Sequence, residues 1–250
     1  MMNILTEIKQ WENIRNTLAG KSIGFVPTMG NLHVGHMSLC EKSLKENNIT
    51  VVSIFINPTQ FDQAEDFELY PRTLEQDILH LKNINYLMLP TFQDLYPDNY
   101  QIQISETCQS LVLEGQYRPD YFNGMLTIIL KLLNIIQPTR AYFGEKDYQQ
   151  LLLIQKMASA LFLQTAIIGC PTVRTDDGLA LSSRNSRLSS AQRKKATQFS
   201  HLLHSQLSSK EIKTTLEQQG FTVDYIEEKW GRRLGAVWLD NIRLIDNIKI

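Results

Sequence analysis

The 250-residue chain is 43% hydrophobic and 20% charged, carries a formal net charge of −1, and is rich in neither glycine nor proline. Such a balance describes a folded globular protein of one large or two unequal domains and argues against disorder. Apart from "RKK" at 193–195 there is no block of like charge, so the basic footprint of a nucleic-acid binder is missing and small-molecule ligands are favoured.

The three cysteines, Cys40, Cys108 and Cys170, are widely spaced and form neither a Cys-x-x-Cys pair nor a disulfide framework, which implies a reducing compartment. The N-terminal segment is acidic and polar by its fourth residue, unlike a secretory signal. The longest apolar run, "MLTIILKLLNII" at 125–136, is too short and interrupted to span a bilayer. The expectation is a cytoplasmic protein with no membrane or nucleic-acid partner.

In chain order, apolar runs at 22–28, 50–58, 85–90, 140–144 and 165–173 read as strands, and the segments of helical period at 35–47, 73–83, 124–136 and 147–162 read as helices. Strands apolar throughout and alternating with helices predict an α/β fold whose parallel sheet is covered on both faces. After about residue 175 the texture turns polar and serine-rich. Ser189 and Gln192 form a capping-box pattern, a second helix fits 208–219, and Gly220 is placed to stop it. Two short strands, "FTVDYIE" and "AVWLDNIRLI", would close a small α+β C-terminal domain.

Three stretches carry chemistry. "PTMGNLHVGH" (27–36) sits at a strand-to-helix junction, with Gly30 in the turn and a helix starting near Gly35. The first N–H groups of such a helix favour an anion, and His33 and His36, one turn apart, would donate to the same phosphoryl oxygens. The same spacing recurs in "HLLH", His201 to His204, without glycine or a preceding strand, and there it reads as structural. Zinc is disfavoured at His33 and His36 because no nearby Glu or Cys completes a ligand set. "GKS" at 20–22 is no P-loop, since Arg15 stands where glycine is required.

"YFGEKDYQQ" (142–150) repeats the strand, glycine, turn and helix logic. Lys146 would face phosphate, Asp147 would cap the helix or meet a cation, and Gln149 and Gln150 suit a hydroxylated substrate. "LALSSRNSRLS" (179–189) offers Ser182, Ser183 and Arg184 as a phosphate clamp on a loop near the domain boundary.

With "VVSIFINPTQF", "YPRTLEQD", "LEGQYRP", "IIGCPTVRTDDGLALSSRN" and "RLIDNI", these stretches resemble the pantoate–beta-alanine ligase (pantothenate synthetase) family over most of residues 20–190. The opening histidines look like the family's version of the HIGH motif, shared with nucleotidyltransferase-like enzymes. The resemblance implies a Rossmann-like domain over 1–174 that binds ATP and pantoate, and a smaller C-terminal lid domain over 175–250, shorter than usual for the family.

The implied reaction is ATP-dependent condensation of (R)-pantoate with β-alanine through a pantoyl adenylate, giving pantothenate, AMP and pyrophosphate. Mg²⁺ would accompany ATP, and the assembly would be a homodimer. By resemblance, Met29, Gly30, Asn31, Leu32, His33, Val34, Gly35 and His36 would contact ATP, as would Gly144, Glu145, Lys146, Asp147, Val173, Leu181, Ser182, Ser183 and Arg184. Gln60 and Gln150 would hold pantoate, Gln60 serving β-alanine as well. His36, with His33, Lys146 and Arg184, would be the catalytic groups.

The chain departs from the family pattern at Val34, Thr59 and Leu181, and at Asp120 and Tyr121, where the family usually reads glycine and histidine. Two rival readings remain at this level: an adenylyl-transferring enzyme with a phosphate acceptor, which would need a cationic acceptor site, and a non-catalytic ATP-binding module.

Overall fold

The apolar runs become strands of a sheet whose central members are almost wholly buried. In the computed structural model, which describes residues 2–250, the chain opens with β1 (Asn3–Leu5), α1 (Ile8–Thr17), β2 (Ile23–Thr28), α2 (Val34–Glu46) and β3 (Ile49–Ile54). Next come α3 (Ala64–Glu68), α4 (Leu74–His80), β4 (Tyr86–Met88), α5 (Phe92–Leu95), α6 (Glu114–Tyr117) and α7 (Tyr121–Ile136). β5 (Arg140–Gly144), α8 (Tyr148–Ala160) and β6 (Ala166–Cys170) are followed by α9 (Ser190–Leu203), α10 (Ser209–Gln218), β7 (Thr222–Lys229), β8 (Arg232–Leu239) and β9 (Ile242–Lys249).

The chain divides into two compact units: residues through Gly144 together with Gln149–Cys170, and Glu145–Tyr148 together with Pro171–Ile250. In the first, six parallel strands run in the order β1-β4-β3-β2-β5-β6. From β2 the chain winds one way to β3 and β4, then returns to lay β5 on the other side of β2. The order reverses between β2 and β5, and in open α/β sheets ligands bind outside the carboxyl ends of the strands at such a switch point. The loop after β2 is "MGNLH", and β5 ends on Gly144, so two of the three chemistry-bearing stretches leave the sheet there. Cys40 on α2 is fully buried under the sheet, and burial pushes its thiol up to about 12, which makes it inert packing.

The second unit carries an antiparallel sheet, β7-β8-β9, packed on α9 and α10 through Phe199, Leu203, Ile212, Leu216, Val223, Val237 and Leu244. Ser189 caps α9 and Gly220 follows α10 with φ +79°. The single late strand expected over "AVWLDNIRLI" is corrected here to two. Leu239 pairs with Ile242 across Asp240 and Asn241, and Asp240 adopts φ +54°. Asp and Asn tolerate the left-handed backbone of a two-residue hairpin turn, and the apolar alternation simply continues on the far side. β1 and α1 lie outside the sequence expectation: one is three residues long, and the other buries only Trp11.

Candidate active site

The histidine loop is held by its own chain before any ligand arrives. Gly30 and Asn31 both take positive φ, +79° and +49°, a turn that aims successive N–H groups at one point. There sits the Asp77 carboxylate of α4, 2% exposed, accepting from Asn31 N–H at 2.9 Å and Leu32 N–H at 2.7 Å. Thr73 Oγ1 donates to it at 3.2 Å, and Thr28 Oγ1 accepts from Gly30 N–H at 3.3 Å. A Cβ on Gly30 would stand 3.1 Å from the Asp77 carboxylate, so glycine serves both the turn and the close approach.

α2 begins with a capping box in which histidine fills both roles. His33 Nδ1 accepts from Gly35 N–H at 3.1 Å, and His36 Nδ1 accepts from His33 N–H at 3.3 Å. The ring centroids are 4.1 Å apart. With Nδ1 accepting in each, the neutral imidazoles carry their protons on Nε2. The loop N–H groups of Gly30, Asn31 and Leu32 are engaged by Thr28 and Asp77, and at the start of α2 the Gly35 N–H is engaged by His33.

Gln60 is buried at the end of a 3-10 turn, Pro58–Gln60. A relay fixes which way its amide points. Tyr96, whose hydroxyl burial pushes up to about 12, donates to Asn57 Oδ1 at 2.9 Å, and Asn57 Nδ2 donates to Gln60 Oε1 at 3.1 Å. Gln60 Nε2 is thereby turned outward as donor, 3.2 Å from Met29 Sδ, a weak acceptor. The turn lies tight on α7: a Cβ on Gly124 would come within 2.1 Å of Thr59 O, so only glycine lets the helix approach. Asp120, just before the helix, takes the left-handed conformation at φ +61°, which Asp tolerates better than most residues. α7 consequently starts at Tyr121, three residues before the predicted 124.

Gln150 on α8 accepts from Tyr121 O–H at 3.1 Å. Its neighbour Gln149 has a different role from the one its sequence suggested. It is 3% exposed, accepts from Glu114 N–H and donates to the carbonyls of Gln109 and Val112. Those bonds use both of its N–H donors and one lone pair of its oxygen, and it staples the 109–114 segment.

In the second unit, Glu145–Asp147 forms a 3-10 turn held by β8 and β9. Asn247 Nδ2 donates to the carbonyls of Glu145 at 2.9 Å and Lys146 at 2.8 Å, and Arg232 pairs with the Glu145 carboxylate and Asn247 Oδ1. The Lys146 ammonium lies 3.6 Å from the Asp147 carboxylate. Arg174 grips the buried Asp246 with two bonds of 2.7 and 2.8 Å, which sets the β9 strand that carries Asn247. Val173 O accepts from Leu181 N–H at 3.0 Å, so these two distant positions are neighbours. Ser182 Oγ caps the short Ser183–Arg187 helix by accepting from Arg184 N–H.

The second histidine pair behaves differently: His201 Nε2 meets Asp177 O and His204 Nδ1 meets Ser200 O, both backbone carbonyls. A cavity of about 300 Å³ at the ends of β2, β3 and β4 shares Met29 and Gly30 with the histidine loop, but its wall is otherwise mainly apolar, including Ile54, Phe55 and Leu89. Among the described residues no cluster of three or more His, Cys, Asp or Glu could hold a metal, and no helix is long and apolar enough to cross a membrane.

Sequence reasoning missed Asp77, Tyr96 and Asn247. Asp77 and Asn247 lie in "YPRTLEQD" and "RLIDNI", stretches that carried the resemblance without a role of their own. Asp77→Asn is expected to lower folding stability by about 2 kcal/mol, because hydrogen bonds to a charged acceptor are lost and a buried N–H is left facing a donor. Urea denaturation measures this, and a midpoint equal to wild type would show that the carboxylate does not hold the loop.

The family described as Pantoate-beta-alanine ligase matches residues 2–249. Pantothenate synthetase of Coxiella burnetii (strain RSA 493 / Nine Mile phase I) is 52% identical over 250 residues, covering 99% of this chain and 97% of that one. The Legionella pneumophila (strain Corby) pantothenate synthetase is 50% identical over 249 residues, 98% of this chain and 99% of that one. Among solved structures, the pantoate-beta-alanine ligase of Francisella tularensis, complexed with beta-gamma ATP and beta-alanine, is 42% identical with a TM-score of 0.96, covering 100% of this chain and 98% of that one. Pantothenate synthetase of Thermus thermophilus is 36% identical with a TM-score of 0.90, covering 99% of each chain. On sequence and fold together, the chain belongs to the pantoate–beta-alanine ligase family.

Proposed function

We propose that this chain condenses (R)-pantoate with β-alanine, using ATP and releasing AMP and pyrophosphate, through a pantoyl adenylate. The observation that carries the reading is the donor polarity of the first unit. His33 and His36 each accept a backbone N–H at Nδ1, which leaves their protons on Nε2, and Gln60 and Gln150 each accept a protein hydrogen bond at the carbonyl end. A site made of donors suits two oxygen-rich anions, a nucleotide phosphate and a hydroxy acid.

In the first step the pantoate carboxylate attacks the α-phosphorus and pyrophosphate leaves. In the second, the β-alanine amine attacks the acyl carbon, AMP leaves with the anhydride oxygen, and the amine proton passes to solvent. Phosphoryl substitution needs positioning and stabilisation of developing charge more than covalent help. His36, with His33, donates to phosphoryl oxygen, and Lys146 and Arg184 neutralise charge on the leaving pyrophosphate. Residues 29–35 and 181–183, with Gly144, Glu145, Asp147 and Val173, complete the ATP contacts. Gln60 and Gln150 grip pantoate without adding charge, a substrate oxygen replacing Met29 Sδ as the partner of Gln60 Nε2, and Gln60 also serves β-alanine.

Mg²⁺ would be held mainly by phosphate oxygens, as that ion usually is, with the Asp147 carboxylate as a protein ligand of suitable hardness. When bound, it would supply charge neutralisation at the phosphates. A cytoplasmic homodimer belongs to the same proposal.

A carboxylate acceptor of the adenylyl group is favoured over a phosphate acceptor because the groups assigned to the pantoate side are neutral amides. Product analysis tests the reading: with ATP, pantoate and β-alanine, one AMP and one pyrophosphate should appear per amide formed. ADP and phosphate, or no amide, would contradict it.

A further inference from the structure

We propose that Tyr121 is a positioning residue that holds the Gln150 amide with its donor end toward the acid substrate, and so sets the preference for a carboxylate. The inference rests on the reading of Gln150 as a pantoate ligand.

A glutamine side chain presents a donor at one end and an acceptor at the other, and nothing intrinsic decides which faces a ligand. An anionic acid needs the donor. For Gln60 that choice is made by the Tyr96–Asn57 relay. For Gln150 it is made by the Tyr121 hydroxyl, which donates to Oε1 at 3.1 Å. A phenol is a protonated donor near neutral pH, so the bond keeps the carbonyl end turned away from substrate.

Tyr121 is itself clamped. The Arg118 guanidinium lies 3.8 Å above its ring, pairs with Asp62 at 3.2 Å, and donates to the Gln60 carbonyl at 3.3 Å. Side-chain freedom of the tyrosine is therefore small, and one arginine links the Gln60 segment to the tyrosine that bonds Gln150. The clamp acts on the ring, so removing only the hydroxyl leaves it in place.

The test is Tyr121→Phe, assayed with pantoate and with its neutral carboxamide analogue as competitive inhibitor. Without the hydroxyl, the Gln150 amide is able to turn over and offer its carbonyl. The KM for pantoate is expected to rise about tenfold, the worth of one well-made hydrogen bond, with the KM for ATP unchanged. The ratio of the carboxamide Ki to the pantoate KM is expected to fall by a similar factor. General loosening of the fold would not move that ratio, and thermal melting of both proteins checks that the fold is kept.

A pantoate KM within about twofold of wild type, well short of the value of one hydrogen bond, would overturn the proposal, as would a rise in KM with an unchanged ratio. A wild-type protein that makes no amide from pantoate would remove the functional reading and this proposal with it, an outcome distinct from active wild type with an indifferent Tyr121→Phe.

Discussion

Replacing His36 by alanine is expected to lower the rate of amide formation by about 10²–10³-fold, the range seen when a single preorganised donor to transition-state charge is removed. The orientation of the ring is the reason. His36 Nδ1 accepts from His33 N–H in the first turn of α2, and that bond fixes the proton on Nε2. The same bond also caps the helix, so alanine removes two things at once. Loss of such a cap costs about 1 kcal/mol of stability, small beside the catalytic effect. His36→Gln separates them: glutamine at the third helical position is a natural capping-box partner for the preceding N–H, yet has no imidazole. It is expected to melt close to wild type and to remain nearly as slow as His36→Ala. Near-normal turnover in either variant, measured by product formation at saturating substrates, would show that the imidazole has no part in the chemistry.

Lys146→Ala carries the second large effect, a loss of roughly 10²-fold or more in kcat with a smaller change in affinity for pantoate, because its charge is assigned to the leaving pyrophosphate. The ammonium is mostly shielded, its side chain 16% exposed, and its backbone carbonyl is tied to Asn247 on β9. The nearby Asp147 carboxylate, at 3.6 Å, keeps it company in the absence of nucleotide. Lys146→Arg retains the charge but replaces a compact ammonium by a planar fork, and is expected to recover only part of the rate. Steady-state kinetics with varied ATP and pantoate make the comparison. An alanine variant with wild-type kcat and only a raised KM for ATP would reassign Lys146 to ground-state binding.

Much of this architecture is legible in the residues, and what is hidden has identifiable causes. Runs such as "TVVSIFI" carry no charge and only two small hydroxyls because the central strands are covered on both faces, so the parallel sheet can be read directly. β1 leaves no trace because three residues have no period, and the β8–β9 hairpin is hidden because Asp240 and Asn241 interrupt the apolar pattern for only two residues.

At the site, the residues assigned to ligand are easier to find than those that aim them. His33, His36 and Lys146 sit beside glycine in short, recognisable contexts. Asp77 is 45 residues from the Leu32 N–H that it holds, Tyr96 is 39 from Asn57, and Asn247 is 101 from Lys146. Spacing along the chain carries no information about bonds of that length. Gln149 shows the converse: by type and context it matches Gln150, and only burial separates the staple from the amide proposed for pantoate.

The central claim is that this chain activates pantoate as an adenylate, and the most direct measurement is isotope exchange in the absence of β-alanine. Purified protein incubated with ATP, Mg²⁺, labelled pyrophosphate and pantoate should return label to ATP, and leaving out pantoate should abolish the exchange. With His36→Gln the exchange should fall in step with overall turnover. Exchange that proceeds equally without pantoate, or no exchange from a folded protein that still forms the amide, would contradict the adenylate route.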